Sequence, residues 1–446
     1  MLLTIFTACT PQAATPAAAS GDAVTSEIAA KPLKEASISF WTLPYFAVAG
    51  GAALEEELIA AFRAIHPEVE ITFHSIEPGE SGNKELLAAG ASGQLDVLYD
   101  SAERLASFAR EQKLADLSSL YTEELTADLP ENIVLACGMS EIKYMMPISV
   151  SPYLMAFNKE MLEGAGLLPL LPYERSADRA WTIDEYTVLL KGMKEKLAPG
   201  ISTPVLFANS SAGDAATRSL ITNLYGAEFI NGEYTEYTIG SSEGKEAFSW
   251  LNKTVQEELL VLDEKKSAIE AVEDFVQGYT PHTILYTVGL ANNYADHKKD
   301  GFTEILMPYP GQSGAAVLEY SLSGFAAFDN GDEARLEAAR AFIDFIANDR
   351  QVSRMAAAST GGISPRLSKN ELRYEPEYLF AESLKQSLGR HSPVMEGFSV
   401  MQSYWFKLVA AAVKKDAKTD TLLDAFVKAA NQTIADAAKK REGEQP

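Results

Sequence analysis

From residue 37 onward, short runs of period-two hydrophobicity alternate with longer runs of helical period, and this constrains the fold more than any other feature of the chain. Ala36-Ser37-Ile38-Ser39-Phe40-Trp41 alternates apolar and small residues as a strand does. After a loop bearing proline and glycine, Leu54, Leu58, Ile59, Phe62 and Ile65 fall on one face at helical spacing. Pro67 ends that helix because a proline disfavours helical backbone in the residue before it. Val69 to Phe73 then reads as a second strand, so the unit is βαβ with a right-handed crossover. Lys84 to Ala91 reads as a further helix and Asp96 to Tyr99 as a third strand. Thr182 and Glu185 have the spacing of a capping box and predict a helix start. Leu336, Ala339, Phe342, Ile343 and Ile346 mark another helix, and no internal repeat is seen. The fold class is α/β, with sheets flanked by helices.

With 446 residues, 47% of them apolar, the chain has material for two or three packed domains. Its 62 acidic against 38 basic residues give a net charge of −24, which repels phosphate backbones and excludes nucleic acid as a partner. The apolar run near Leu408 to Val413 is short and flanked by lysines, well under the ~18 residues a spanning helix needs. Cys9 and Cys137 match no zinc, redox or iron–sulfur spacing, and Cys137 receives no role. His66, His74, His282, His297 and His391 never pair at helical ligand spacing, so neither a metal nor a cofactor is expected. There is no G-x-S-x-G, H-E-x-x-H or G-x-G-x-x-G motif, and Gly240 to Glu246 lacks the spacing of a phosphate loop. Carboxylate pairs suited to glycoside hydrolysis arise by chance among so many acids. A binding protein is expected, not an enzyme.

Residues 1–36 differ from the remainder. Met1 to Ala8 is a short apolar run ending Phe6-Thr7-Ala8-Cys9, followed by a tract of Ala, Thr, Pro and Ser that reads as a tether. Small residues just before a cysteine resemble a bacterial lipobox, in which the thiol takes a diacylglyceryl group, and Cys9 is the candidate lipidation site. No basic segment precedes the run, and Phe6 stands where leucine is usual.

A series of short motifs runs from Trp41 through Phe62 to Val69, Ala91 to Val97 and Leu114 to Ser118, then Pro147 to Lys159, Gly164 to Leu167 and Ala180 to Tyr186. It continues with Phe275 to Gly278, Pro308 to Gly311 and Gly361 to Arg366, and ends with Tyr404-Trp405-Phe406 and Leu422 to Ile434. In this order the motifs resemble the family 1 extracellular solute-binding proteins, and the last two are similar to the maltose-binding branch. The resemblance covers roughly residues 37 to 437.

It implies two α/β lobes joined by crossing strands that close over a ligand by hinge motion. The lobes are expected to comprise residues 37–148 plus about 285–320, and 149–284 plus about 321–440. It also implies an ABC importer: a sugar or oligosaccharide as ligand, permease subunits in the membrane as partners, a monomer, and an extracytoplasmic, lipid-anchored location. A same-fold receptor for a polyamine, peptide or metal chelate, or a lipoprotein hydrolase, remains the alternative.

The implied ligand set begins with Trp41, Thr42 and Tyr45 at the end of the first strand, although a strand-end tryptophan also packs as core. Asp100, Glu103 and Arg104 stand where family members contact sugar hydroxyls; acids in a first helical turn also suit the helix dipole. Ser149 and Ser151 lie on the crossing strand, with Ser151 where the maltose branch often has an acid. Asp214 comes from the second lobe, and Arg366 closes its motif. Gly289 is followed by Leu290-Ala291-Asn292-Asn293-Tyr294 in place of the usual stacking tryptophan, so Tyr286, Asn292 and Tyr294 join the set. Trp405 is the other stacking candidate, with a core position as its alternative.

Overall fold

Ile38 and Phe40 sit in the middle of the first strand and are almost wholly buried, as the alternation of the segment requires. The structure is a computed structural model and describes residues 32–42, 54–77, 79–139, 142–198, 201, 205–206, 213–368 and 373–444. Its larger strands are β1 (Ala36–Thr42), β2 (Val69–Ser75), β3 (Val97–Ser101), β4 (Met146–Pro152), β5 (Leu154–Asn158), β6 (His282–Tyr286), β7 (Glu304–Met307) and β8 (Tyr320–Ala327). The helices used below are α1 (Leu54–Ile65), α2 (Glu80–Ala91), α3 (Ala102–Arg110), α4 (Ile183–Lys196), α5 (Gly213–Tyr225), α6 (Glu333–Asn348), α7 (Phe398–Ala412) and α8 (Thr419–Glu444).

Two sheets organise these elements. The first has the order β2-β1-β3-β8-β4; β1 is parallel to β2 and β3, whereas β8 is antiparallel to β3 and β4. Phe40 places its ring 5.3 Å from Phe342 of α6, and Phe62 of α1 lies 5.2 Å from the same ring, so α1 and α6 close one face of this sheet. The second sheet is β6-β5-β7, antiparallel throughout. At the start of α4 the capping box forms as its spacing predicted: Thr182 accepts from the Glu185 amide and Glu185 accepts from the Thr182 amide.

The two lobes, one built on each of these sheets, are joined by three passages of chain. Tyr153 alone separates β4 from β5, and its amide donates to the carbonyl of Glu319, the residue before β8, at 2.9 Å. The third passage runs through Ile363, which exchanges backbone hydrogen bonds with Val150 at 2.9 and 2.8 Å. Strand pairing corrects the expected lobe boundaries. Glu304 to Met307, assigned to the first lobe, pairs with β5 in the second sheet. Conversely, residues 321–327 of β8, assigned to the second lobe, pair between β3 and β4, and α6, assigned with them, packs on the first sheet. Hydrophobic period identifies a strand but not the edge it joins, which depends on partners distant in sequence.

Candidate functional site

The first wall of the site grows from the end of β3. Asp100 is 1% exposed; its Oδ1 accepts from the Ser101 amide at 2.7 Å, and it pairs with Arg104 Nε, one helical turn later, at 2.9 Å. Ser101 caps α3, and Arg104 also donates to Asn83 of α2. Glu103 shares that first turn, where burial raises its carboxyl pKa while Arg218 and Arg104 draw it back. Arg110, in the last turn of α3, reaches the second lobe and donates to the carbonyl of Val394.

The second wall is built on α5. Asp214 and Arg218 lie four residues apart, hence on one face of the helix, and are ion-paired. Arg218 also donates to Glu319 from Nε at 3.1 Å and from Nη2 at 2.6 Å, and its guanidinium lies 5.4 Å from the Phe229 ring and 5.2 Å from that of Phe398. Gln402 of α7 donates to Asp214 Oδ2 at 3.1 Å. Burial pushes the Glu319 carboxyl upward, with Arg218 opposing, and lifts the Tyr153 phenol to about 12. Tyr237 is fully buried within electrostatic reach of Arg218, Arg110 and Glu103, and its hydroxyl has no hydrogen-bond partner among the described residues. Arg104, Arg110 and Arg218 thus converge with Asp100, Glu103, Asp214 and Glu319 from both lobes and a passage between them. Such a lining carries almost no surplus charge and many fixed donors and acceptors.

Asp100, Glu103, Arg104 and Asp214, four of the residues anticipated from sequence, are therefore brought together. Others are not. Trp41 is 6% exposed and stacks on His74 with centroids 4.4 Å apart, while Thr42 is buried and its carbonyl accepts from the Ile76 amide. Ser149 shares a 2.6 Å hydrogen bond with Thr360 and packs on Gly362, where an added Cβ would lie 2.1 Å from its Oγ. It locks a passage between lobes, and Ser151 sits on the same strand in register with Ser321. Arg366 donates to the Ala347 carbonyl and to Asn348 at the end of α6, a structural tie and not a cleft contact. Tyr286 is wholly buried with its ring edge on Phe275, which corrects its proposed role as a stacking platform. Tyr294 is half-buried at the end of the short helix Val288–Asn293, and Asn292 precedes it with Nδ2 unpartnered among the described residues. Tyr45 and Cys9 lie outside the described residues.

Trp405 is the clearest correction. It has no exposed surface; Phe229, Phe248 and Phe426 pack at its ring with centroids 5.4 to 5.7 Å away, and Nε1 donates to Thr217 at 2.7 Å. With its ring enclosed and its donor used, it is core and not a face for a ligand. Sequence reasoning missed Arg110, Arg218, Tyr237 and Glu319. The one available signal was the spacing of Arg218 from Asp214. Cys137 is a free thiol in the core, pushed up to about 12 by burial. Among the described residues no cluster of acidic, histidine and cysteine side chains suits a metal, and no helix is long and apolar enough to cross a membrane.

Comparison with known proteins agrees with this architecture. The sugar-binding protein MalE of Xanthomonas citri superposes with a TM-score of 0.74 at 16% identity, over 92% of this chain and 100% of that one. The cyclic alpha-maltosyl-1,6-maltose binding protein of Arthrobacter globiformis gives a TM-score of 0.75 at 16% identity, over 91% and 100%. An uncharacterized lipoprotein from the oleD 5' region of Streptomyces antibioticus is 23% identical over 311 residues, 68% of this chain and 65% of that protein, so the match spans just under two thirds of the relative. The model of the bacterial extracellular solute-binding proteins matches residues 47–352, well over half of the sequence, and the chain belongs to that family.

Proposed function

We propose that the protein is the substrate-capturing component of an ABC importer, that it binds a sugar or oligosaccharide between its lobes, and that Cys9 tethers it outside the cytoplasm through a lipid. The observation that carries the ligand class is the charge balance of the cleft. Three guanidinium groups against four carboxyls, two of them raised in pKa by burial, leave little net field. A polyamine would be held by surplus carboxylates and an anion by surplus guanidinium groups; a neutral polyol is held by paired donors and acceptors. The lobes meet through passages as short as Tyr153, which suits closure around a ligand. Binding without turnover fits the family, whose members capture solutes, and the permease subunits are the expected partners.

Thermal-shift screening of a sugar and polyamine panel, followed by calorimetry of each hit, tests this reading, because a ligand of the native state raises apparent stability. A mono- or oligosaccharide is expected to bind and be recovered unchanged, and Arg104→Ala is expected to weaken it by about tenfold or more. Stabilisation by polyamines alone, or multiple turnover of a glycoside, sinks it.

A further inference from the structure

Four hydroxyl side chains meet on one face of the first sheet, where the passages between the lobes leave it. The register pairs Ser323 with both Ser101 and Ser149, and Phe325 with Tyr99. Alternate residues of a strand share a face, so Tyr99, Ser323 and Ser149 lie together. The Tyr99 hydroxyl hydrogen-bonds to Ser323 Oγ at 2.6 Å and to the side chain of Thr360, and Thr360 Oγ1 lies 2.6 Å from Ser149 Oγ. Thr360 is itself fixed, for its Oγ1 lies 2.7 Å from the Ala357 carbonyl and 3.2 Å from the Gly362 amide. The hydroxyls therefore form one chain, Ser323–Tyr99–Thr360–Ser149.

This chain touches all three passages. Ser149 stands on β4 before Tyr153, Ser323 stands on β8 after Glu319, and Thr360 opens the third passage. The third passage is also laid directly on β4: Gly361 takes left-handed backbone, with φ +74°, and a Cβ on Gly362 would lie 2.1 Å from Ser149 Oγ and 3.2 Å from Ser151 Oγ. The second-lobe ends of the passages have other partners. Leu154 pairs with Tyr286 in the second sheet, the Val317 amide donates to Asn223 Oδ1 at 2.8 Å, and the Leu318 amide donates to the Ser387 carbonyl at 2.8 Å. Between the two sets of ties stand Tyr153 and Glu319, one residue in each of the first two passages.

We infer that Thr360 is a positioning residue for closure: its hydroxyl makes the first-lobe ends of the three passages turn as one body, and the bend is confined to Tyr153, Glu319 and the third passage beyond Ile363. This deepens the reading of a protein that closes on its ligand, and rests on it. Thr360 acts through the passages and not through the ligand. Passages fastened to one another sample few arrangements before closure, so less conformational freedom is lost when the lobes meet. An apolar side chain at this position would take a hydrogen-bond partner from both Tyr99 and Ser149, which are buried.

Hydrogen exchange of the ligand-free full chain, read by mass spectrometry, tests this. It needs no ligand, so its outcome stands apart from whether the cleft takes a sugar. Thr360→Val is expected to speed exchange by about tenfold or more at Val150, at Ile363 and in β8 from Leu322 to Gly324 together, with β1 and β2 unchanged. Thr360→Ser keeps the hydroxyl and is expected to restore protection. Tyr99→Phe cuts only the link to Ser323, so exchange should rise in β8 while Val150 and Ile363 stay protected. Ser149→Ala should do the reverse, and these two variants decide the case even where Thr360→Val does not fold. Spin labels on Lys84→Cys and Lys253→Cys, exposed sites in the first and second lobes, read closure itself in the Cys9→Ser chain. Thr360→Val is expected to widen the distribution of interlobe distances, and Thr360→Ser to leave it as in the parent. Unchanged protection or unchanged width overturns the inference. So does faster exchange spread evenly over both sheets, or loosening of all three passages by Tyr99→Phe.

Discussion

Arg218 and Glu319 form a two-point ion pair, Nε to Oε1 at 3.1 Å and Nη2 to Oε2 at 2.6 Å, that fastens α5 of the second lobe to the passage leading into the first sheet. The Arg218 side chain is 2% exposed and that of Glu319 12%, so neither charge is hydrated enough to stand alone. Asp214 completes the set from the preceding turn of the same helix. A planar guanidinium is suited to this position because it can serve two carboxylates while its faces lie against Phe229 and Phe398.

Replacing Arg218 by methionine removes the cation and leaves two buried carboxylates facing each other. The expected loss is about 3–5 kcal/mol of folding stability, the range for breaking a buried pair. Urea unfolding measures it. A loss below about 1 kcal/mol would place the triad with exposed ion pairs in energetic terms and refute its role as a fastening.

Trp405→Ala empties a site enclosed by Phe229, Phe248 and Phe426 and removes the hydrogen bond that Nε1 donates to Thr217. A stability loss of about 3–5 kcal/mol is expected, with ligand affinity of the remaining folded protein unchanged. Calorimetric titration beside a thermal melt separates the two effects. A normal melt with lost affinity would restore the stacking role that the structure denies.

Glu103 makes stability depend on pH. Burial raises its carboxyl above the ordinary value of 4.5. The contribution of a group raised in this way is fully present below 4.5 and is lost as pH climbs through the folded value, since the folded state holds the proton more tightly. Glu103→Gln keeps the neutral shape at every pH. The melting temperature of the variant relative to the parent should therefore rise between about pH 4 and about pH 7, even as ligand affinity falls. A difference that is flat or declines across that window contradicts the burial assignment.

Cys9→Ser should release the mature chain from the membrane fraction of the native host, while the parent stays bound through two acyl chains on one cysteine, enough for stable attachment. Mass spectrometry of the native amino terminus provides the direct check. A mature chain that still carries the segment before Cys9, with an unmodified thiol, disproves the anchor.

The sequence by itself determined the elements whose signals are local. The alternation of Ser37 to Phe40, the helical face of Leu58 and Phe62, and the Thr182–Glu185 capping box all appear in the structure where the pattern put them, because each depends on neighbours within a turn or a pleat. Asp100, Glu103 and Arg104 were named as candidates through the family resemblance, and they lie within one turn of each other at the end of β3. Tertiary structure decided the rest. The place of Tyr320 to Ala327 between β3 and β4 depends on partners far away in sequence, and so the lobe boundaries were misplaced. Arg218 and Glu319 are 101 residues apart, so no window along the chain joins them. Trp405 reads the same in sequence whether it faces a ligand or Phe229, Phe248 and Phe426. Its position in the core follows from which helices pack around it, and side-chain chemistry alone does not encode that choice.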